Sequence, residues 1–208
     1  MMHNCIFTAN CLETTCDKSC PTYVETSYLL ERNGISSSSY LFSDPRVDVP
    51  KLTRILDTFK DKEGVVIVSN TSTGFTTVQW AEALTYCAIC HNWRGSRLHC
   101  VVYNLKLSKY LDDIKQSWSA KTNDEDLEYV KIWSETAKVL IISNFDFVNF
   151  GDFEAQTLLN LLQARQVEGK TTLLVSPPIN HLVSSKSSMF FSMLRSRMSN
   201  EAREVSKC

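Results

Sequence analysis

Two groups of residues in this 208-residue chain have types and spacings that suggest chemistry. The first is Cys5, Cys11, Cys16 and Cys20, spaced C-x5-C-x4-C-x3-C and holding four of the eight cysteines. Four thiolates suit a tetrahedral zinc ion at roughly 2.3 Å per bond. The same set also suits an iron–sulfur cluster, or the thiols stay unligated. About thirty residues cannot build a core of their own, so a metal staple is physically useful there. The second group is Ser69-Asn70-Thr71-Ser72-Thr73-Gly74-Phe75-Thr76. It stands where a phosphate-cradling loop, Gly-x-x-x-x-Gly-Lys-Ser/Thr, joins a strand to a helix. Gly74 and the Thr76 hydroxyl match that pattern, but Ser69 replaces the first glycine and Phe75 replaces the lysine. With Phe75 the loop loses the cation that neutralises β- and γ-phosphates. An ordinary strand-to-helix turn accounts equally well for this segment.

These residues need elements to position them, and the hydrophobic pattern supplies those elements. Val65-Val66-Ile67-Val68 is a β-branched run of the kind that forms a buried parallel strand. Leu98–Tyr103, Val139–Ile142 and Thr171–Val175 read as three more. Helical spacing predicts helices over Lys51–Lys60, Thr76–Ile89, Leu107–Trp118, Asp152–Glu168 and Phe190–Ala202, the last basic through Arg195 and Arg197, with Arg203 just beyond. Asn123–Glu128 reads as an exposed acidic segment. Strands alternating with helices predict a three-layer α/β fold on a parallel sheet. The expected organisation is a four-cysteine module over 1–33, a linker over 34–50 and a P-loop-like domain over 51–208.

The third strand carries a second change. ATPases of this class end that strand in acidic residues that hold magnesium, whereas here Ser143-Asn144 follows Ile142 and Asp146 comes too late. Cys87 and Cys90, followed by His91, read as small apolar core residues. Cys100 reads as core too. Trp80, Trp93, Trp118 and Trp133 could stack bases, but core packing is the reading we favour. The four histidines form no catalytic signature with Cys or Ser. A formal net charge of -1 excludes a global basic field. No stretch reaches the roughly 18 apolar residues of a membrane span, and no secretory leader is evident, so the expected location is the cytoplasm.

On these residues the chain resembles the AAA+ replicative helicase loaders of the DnaC/DnaI type, known from bacteria and phages. Ser69–Thr77 (SNTSTGFTT) looks like that family's Walker A segment. Val139–Asp146 is similar to its Walker B strand. The N-terminal cysteine cluster together with Cys20–Leu30 looks like the small zinc-binding element of some loaders. Gly169–Ser176 looks like the sensor strand, with Pro177 where an asparagine is usual. Met193–Met198 looks like the arginine-finger helix, with Arg197 as the finger acting on a neighbouring subunit. A final strand is expected to be short or missing.

The resemblance implies a degenerate nucleotide site formed by Ser69, Gly74, Phe75, Thr76, Thr77, Ser143 and Asn144. It also implies a structural zinc, and a doubtful hold on ATP, ADP and magnesium. The expected function is that of a pseudo-ATPase. It would bind a replicative helicase or a catalytic loader paralogue in a hetero- or homo-oligomer, and single-stranded DNA weakly. Two alternatives stay open. One is an active but divergent ATPase in which Lys138 or Lys170 replaces the lost lysine. The other is a nucleic-acid-binding regulator that uses the fold without nucleotide.

Overall fold

The computed structural model describes residues 21–35, 49–59, 64–69, 76–90, 101–120, 125–144, 148, 150–176 and 203–205. The described elements run α1 (Pro21–Arg32), α2 (Val49–Phe59), β1 (Gly64–Ser69), α3 (Thr77–Cys90), β2 (Val102–Lys106), α4 (Leu107–Ala120), α5 (Glu125–Thr136), β3 (Val139–Ser143), α6 (Asp152–Val167), β4 (Thr171–Ser176) and β5 (Arg203–Val205).

The strands form one sheet in the order β2-β3-β4-β1-β5. Every pairing is parallel. Successive strand residues point to opposite faces, and the two cores divide along that alternation. Val66, Val68, Val102, Val139, Ile141, Leu173 and Val175 pack with α1, α2 and α3. Val65, Tyr103, Leu105, Leu140, Ile142 and Leu174 pack with α4, α5 and α6. Strands buried on both faces are mostly apolar, which is how β1 and β3 read most plainly. Three layers result.

Several elements differ from expectation. The second strand begins at Val102 and continues through Asn104, Leu105 and Lys106, beyond the predicted end at Tyr103. Asn104 and Lys106 are polar, which hides the strand from a hydrophobic count. The acidic segment at 125–128, given no element by the sequence pattern, forms the first turn of α5, with Glu125, Asp126 and Glu128 exposed as expected. Glu125, Asp126 and Glu128 sit at the positive end of the helix dipole, where acidic residues stabilise a helix. Trp118 is not a core residue. It is 68% exposed and meets Phe153 edge-on at 4.8 Å. The final strand is present as three residues paired with β1, and Arg203 lies in it rather than beside a helix. The predicted helix at 190–202 falls outside the described residues.

Residues 21–35 share the main core, since Leu30 and Ile35 join the cluster built on α3. The chain leaves α1 through Asn33-Gly34. Gly34 has φ +73°, its N–H bonds to Glu31 O, and the Ile35 N–H bonds to Leu30 O. This is a Schellman ending, whose left-handed position glycine fills without strain. No described helix is long and apolar enough to cross a membrane.

Candidate functional site

In an open parallel sheet, ligands bind beyond the carboxyl ends of the strands where connections diverge in opposite directions. Here the chain crosses from β1 to β2 through α3, while β3 and β4 step back the other way. The crevice beyond β1, β4 and β3 is therefore the candidate site, and the register places Ser69 beside Ser176 there. Residues 70–75 lie outside the described residues, including Gly74 and Phe75.

The start of α3 is described. The Thr76 N–H donates to Gln79 Oε1 at 3.0 Å, and the Gln79 N–H donates to Thr76 Oγ1 at 3.2 Å. This reciprocal pair is a capping box. The hydroxyl at the magnesium-holding position of the motif is therefore engaged as a helix cap. Thr77 is buried.

The end of β3 is equally committed. Ser143 is fully buried, and its hydroxyl donates to Asn104 Oδ1 at 3.2 Å. Asn104 in turn donates its backbone N–H to Asn33 Oδ1 at 2.7 Å, and Asn33 Nδ2 donates to Leu29 O at 2.8 Å. A polar relay thus runs from the end of β3 across β2 to the end of α1. Asn144 adopts φ 62°, a left-handed conformation that asparagine tolerates better than most residues. Its Nδ2 donates to Ser108 Oγ. Ser143 and Asn144 bond sideways toward β2 and α4, with no negative charge on either.

The two lysines considered as replacement cations sit at the wrong end of the sheet. Lys170 immediately precedes β4, and its carbonyl accepts from the Gly64 N–H. Lys138 immediately precedes β3. A six-residue strand separates that end from Ser69, roughly 16 Å at about 3.3 Å per residue. Lys170 is also held by Glu135 O at 2.7 Å and by Glu168. At the carboxyl end, Lys106 pairs with Glu82 at 3.1 Å and lies three strands from β1.

Cys5, Cys11, Cys16, Cys20 and Arg197 fall outside the described residues, as do Trp93 and Cys100. Among the described residues no group of three or more His, Cys, Asp or Glu could hold a metal. Cys87 is buried inside the core, in line with its reading as a small apolar residue.

Five supporting residues escape a reading based on motifs, although each leaves some signal. Asn33-Gly34 after a helix is a stop signal. Asn104 is a lone amide inside an apolar strand, a position that demands a partner. Arg165 falls at helical spacing after Leu158 and Leu161 on the buried face of α6. Glu154 is placed to cap its own helix: its Oε2 accepts the Gly151 N–H at 2.8 Å.

No protein-family model matches the chain, and no curated protein matches it. Solved structures do. The replication initiator DnaA bound to AMPPCP and single-stranded DNA aligns at TM-score 0.51 and 8% identity, over 79% of this chain and 51% of that one. Domain III of the Thermotoga maritima replication initiation protein DnaA aligns at 0.49 and 11%, over 75% and 59%. A DNA replication initiation factor aligns at 0.49 and 10%, over 75% and 43%. The chain thus spans about half the length of the structures it matches. At such an identity the likeness to the AMPPCP-bound DnaA structure shows the fold alone, a three-layer α/β domain on a parallel sheet.

Proposed function

We propose that this chain is a non-catalytic, helicase-loader-like protein of DNA replication. It would work by holding a replicative helicase or a catalytic loader paralogue, rather than by hydrolysing ATP. The observation that carries the reading is the end of β3. Magnesium needs oxygen ligands, usually with one or two carboxylates among them. The positions that would supply them are Ser143 and Asn144, and both are drawn into hydrogen bonds with Asn104 and Ser108. Thr76 adds to this, because its hydroxyl caps α3. Among the described residues the donor set does not fit a magnesium–nucleotide complex. The loss of lysine at Phe75 removes the remaining cation that phosphoryl transfer relies on.

Partner binding is the role left to such a domain. The DnaA structures supply the replication context only by analogy of fold. In this reading the four-cysteine segment holds a structural zinc, and Arg197 is available to serve a neighbouring subunit's nucleotide.

The test is calorimetric titration with ATP and magnesium of the native protein and of Phe75→Lys, alongside pull-downs with helicase and loader. The expected result is no nucleotide binding by either protein and retention of one of the two partners. Magnesium-dependent ATP binding by the native chain would overturn the non-catalytic reading. Failure to retain helicase and loader alike would overturn the adaptor role.

A further inference from the structure

A second concave site lies away from the nucleotide crevice, at the outer edge of β2. A cavity of about 230 Å³ opens there between the end of α1, β2 and the first turns of α4. Around it stand Arg32, Asn104, Lys106, Lys109 and Tyr110, with Asp113 as the single carboxylate among the described lining residues. Five of these six side chains can donate hydrogen bonds.

The existing pairs do not satisfy these donors. Lys109 reaches Asp113 only at 3.9 Å, and Lys106 is held by one oxygen of Glu82. Arg32 lays its guanidinium over the Trp133 ring at 3.6 Å, and its Nε has no acceptor. Asn104 is 5% exposed, and its Nδ2 also lacks an acceptor. A buried amide donor left unpaired destabilises the fold unless a ligand accepts from it. Burial raises the Tyr110 hydroxyl to about 12, with Glu135 and Glu128 adding to the effect, so it remains a donor at neutral pH. The end of α1 faces the same place and favours cations there. That explains one or two positive charges but not the unpaired amide.

We propose that this edge cleft binds a small phosphate-bearing ligand, with Arg32, Lys106 and Lys109 gripping the phosphate and Asn104 donating to it. Several convergent donors suit an anion that presents several oxygens. The volume exceeds that of a bare phosphate, and the apolar walls from Leu105 and Val130 leave room for part of an attached ring. The site is independent of the nucleotide crevice and of the adaptor reading.

The test is calorimetric titration with inorganic phosphate, with AMP and with adenosine, on the full chain. Phosphate and AMP should bind and adenosine should not. Lys109→Ala removes a largely exposed side chain, so the protein keeps its fold. It should weaken AMP about tenfold, equivalent to about 1.4 kcal/mol. Arg32→Gln should weaken it similarly, while Thr76→Ala, at the P-loop, should leave it unchanged. Any of three results would overturn the assignment: no binding of phosphate or AMP up to about 10 mM, equal affinity for adenosine, or loss of binding in Thr76→Ala with Lys109→Ala unaffected.

Discussion

Arg165 is 1% exposed and heads the fully buried side chains by volume, so its replacement is the sharpest test of how this fold is held. Its Nε donates to Thr172 Oγ1 at 2.8 Å. One terminal nitrogen donates to Ser134 O and Ala137 O at 2.8 Å, and to Glu135 O at 3.3 Å. The other donates to Thr171 O at 2.6 Å. The guanidinium therefore closes the last turn of α5, whose carbonyls carry the negative end of the helix dipole, and ties it to the start of β4. Arg165→Met keeps the aliphatic stem and deletes the donors. The carbonyls of Ser134, Ala137 and Thr171 lose this donor in the dry interior. At about 1–3 kcal/mol for each buried hydrogen bond deleted, partly offset because a buried charge no longer needs desolvating, the expected loss is about 3–5 kcal/mol. Total stability for a domain is about 5–15 kcal/mol. In urea, with a slope of about 2 kcal/mol per molar, the unfolding midpoint should fall by about 1.5–2.5 M with the slope unchanged. Tryptophan fluorescence follows the transition. Arg165→Lys retains the charge without the planar fork and should fall between the two. A midpoint shift below about 0.5 M for Arg165→Met would refute the view that this side chain joins α5 to the sheet.

Other consequences are open to the same kind of measurement. Asn33→Ala removes the acceptor for the Asn104 N–H and should cost about 1–3 kcal/mol in denaturant unfolding. Leu84→Ala empties a fully buried site beneath the sheet and should cost about 2–5 kcal/mol by the same assay. Trp118→Ala should cost no more than about 1 kcal/mol, because only the edge contact with Phe153 is lost. The Glu154 carboxyl is pushed up by burial, but hydrogen bonds from Lys115 and from backbone N–H groups outweigh this and hold it below its ordinary 4.5. A depressed carboxyl stabilises the fold above its unfolded pKa and ceases to do so as pH falls through the folded value. Native protein should therefore lose stability below about pH 4.5 more steeply than Glu154→Gln, as thermal melts across pH 3–7 would show.

The sheet is legible because its strands are buried on both faces, and such strands read as continuous apolar runs. Val65–Val68, Val139–Ile142 and Thr171–Val175 stand out for that reason. Leu107–Trp118 and Asp152–Glu168 stand out through helical spacing. The second strand is displaced in a hydrophobic reading because two of its five residues, Asn104 and Lys106, are polar for reasons outside the strand: one joins the relay to Asn33, the other meets Glu82. Helix α5 escapes because its buried face is thin. Leu127 and Ser134 are its buried residues, while Tyr129 and Ile132 face solvent, so no apolar stripe marks it. At the candidate site, motif comparison picks out Thr76, Ser143 and Asn144. It does not show where their side chains turn, because that depends on Asn104, Ser108 and Gln79, none of which belongs to the motif. The side-by-side placement of Arg32 and Lys109 depends on tertiary packing and has no signature in the order of residues.

The Asn33–Asn104 bond has a colloidal consequence. An outermost strand offers its free amides and carbonyls to any passing strand, and long flat ones seed aggregation. In β2 the central residue's N–H is already taken by a side chain from the turn after α1. A foreign strand could not zip along this side without first evicting Asn33, and Gly34 behind it stands against Lys106. The two residues that stop a helix also stop the sheet from growing, and a protein that lost them would be expected to clump before it visibly unfolded.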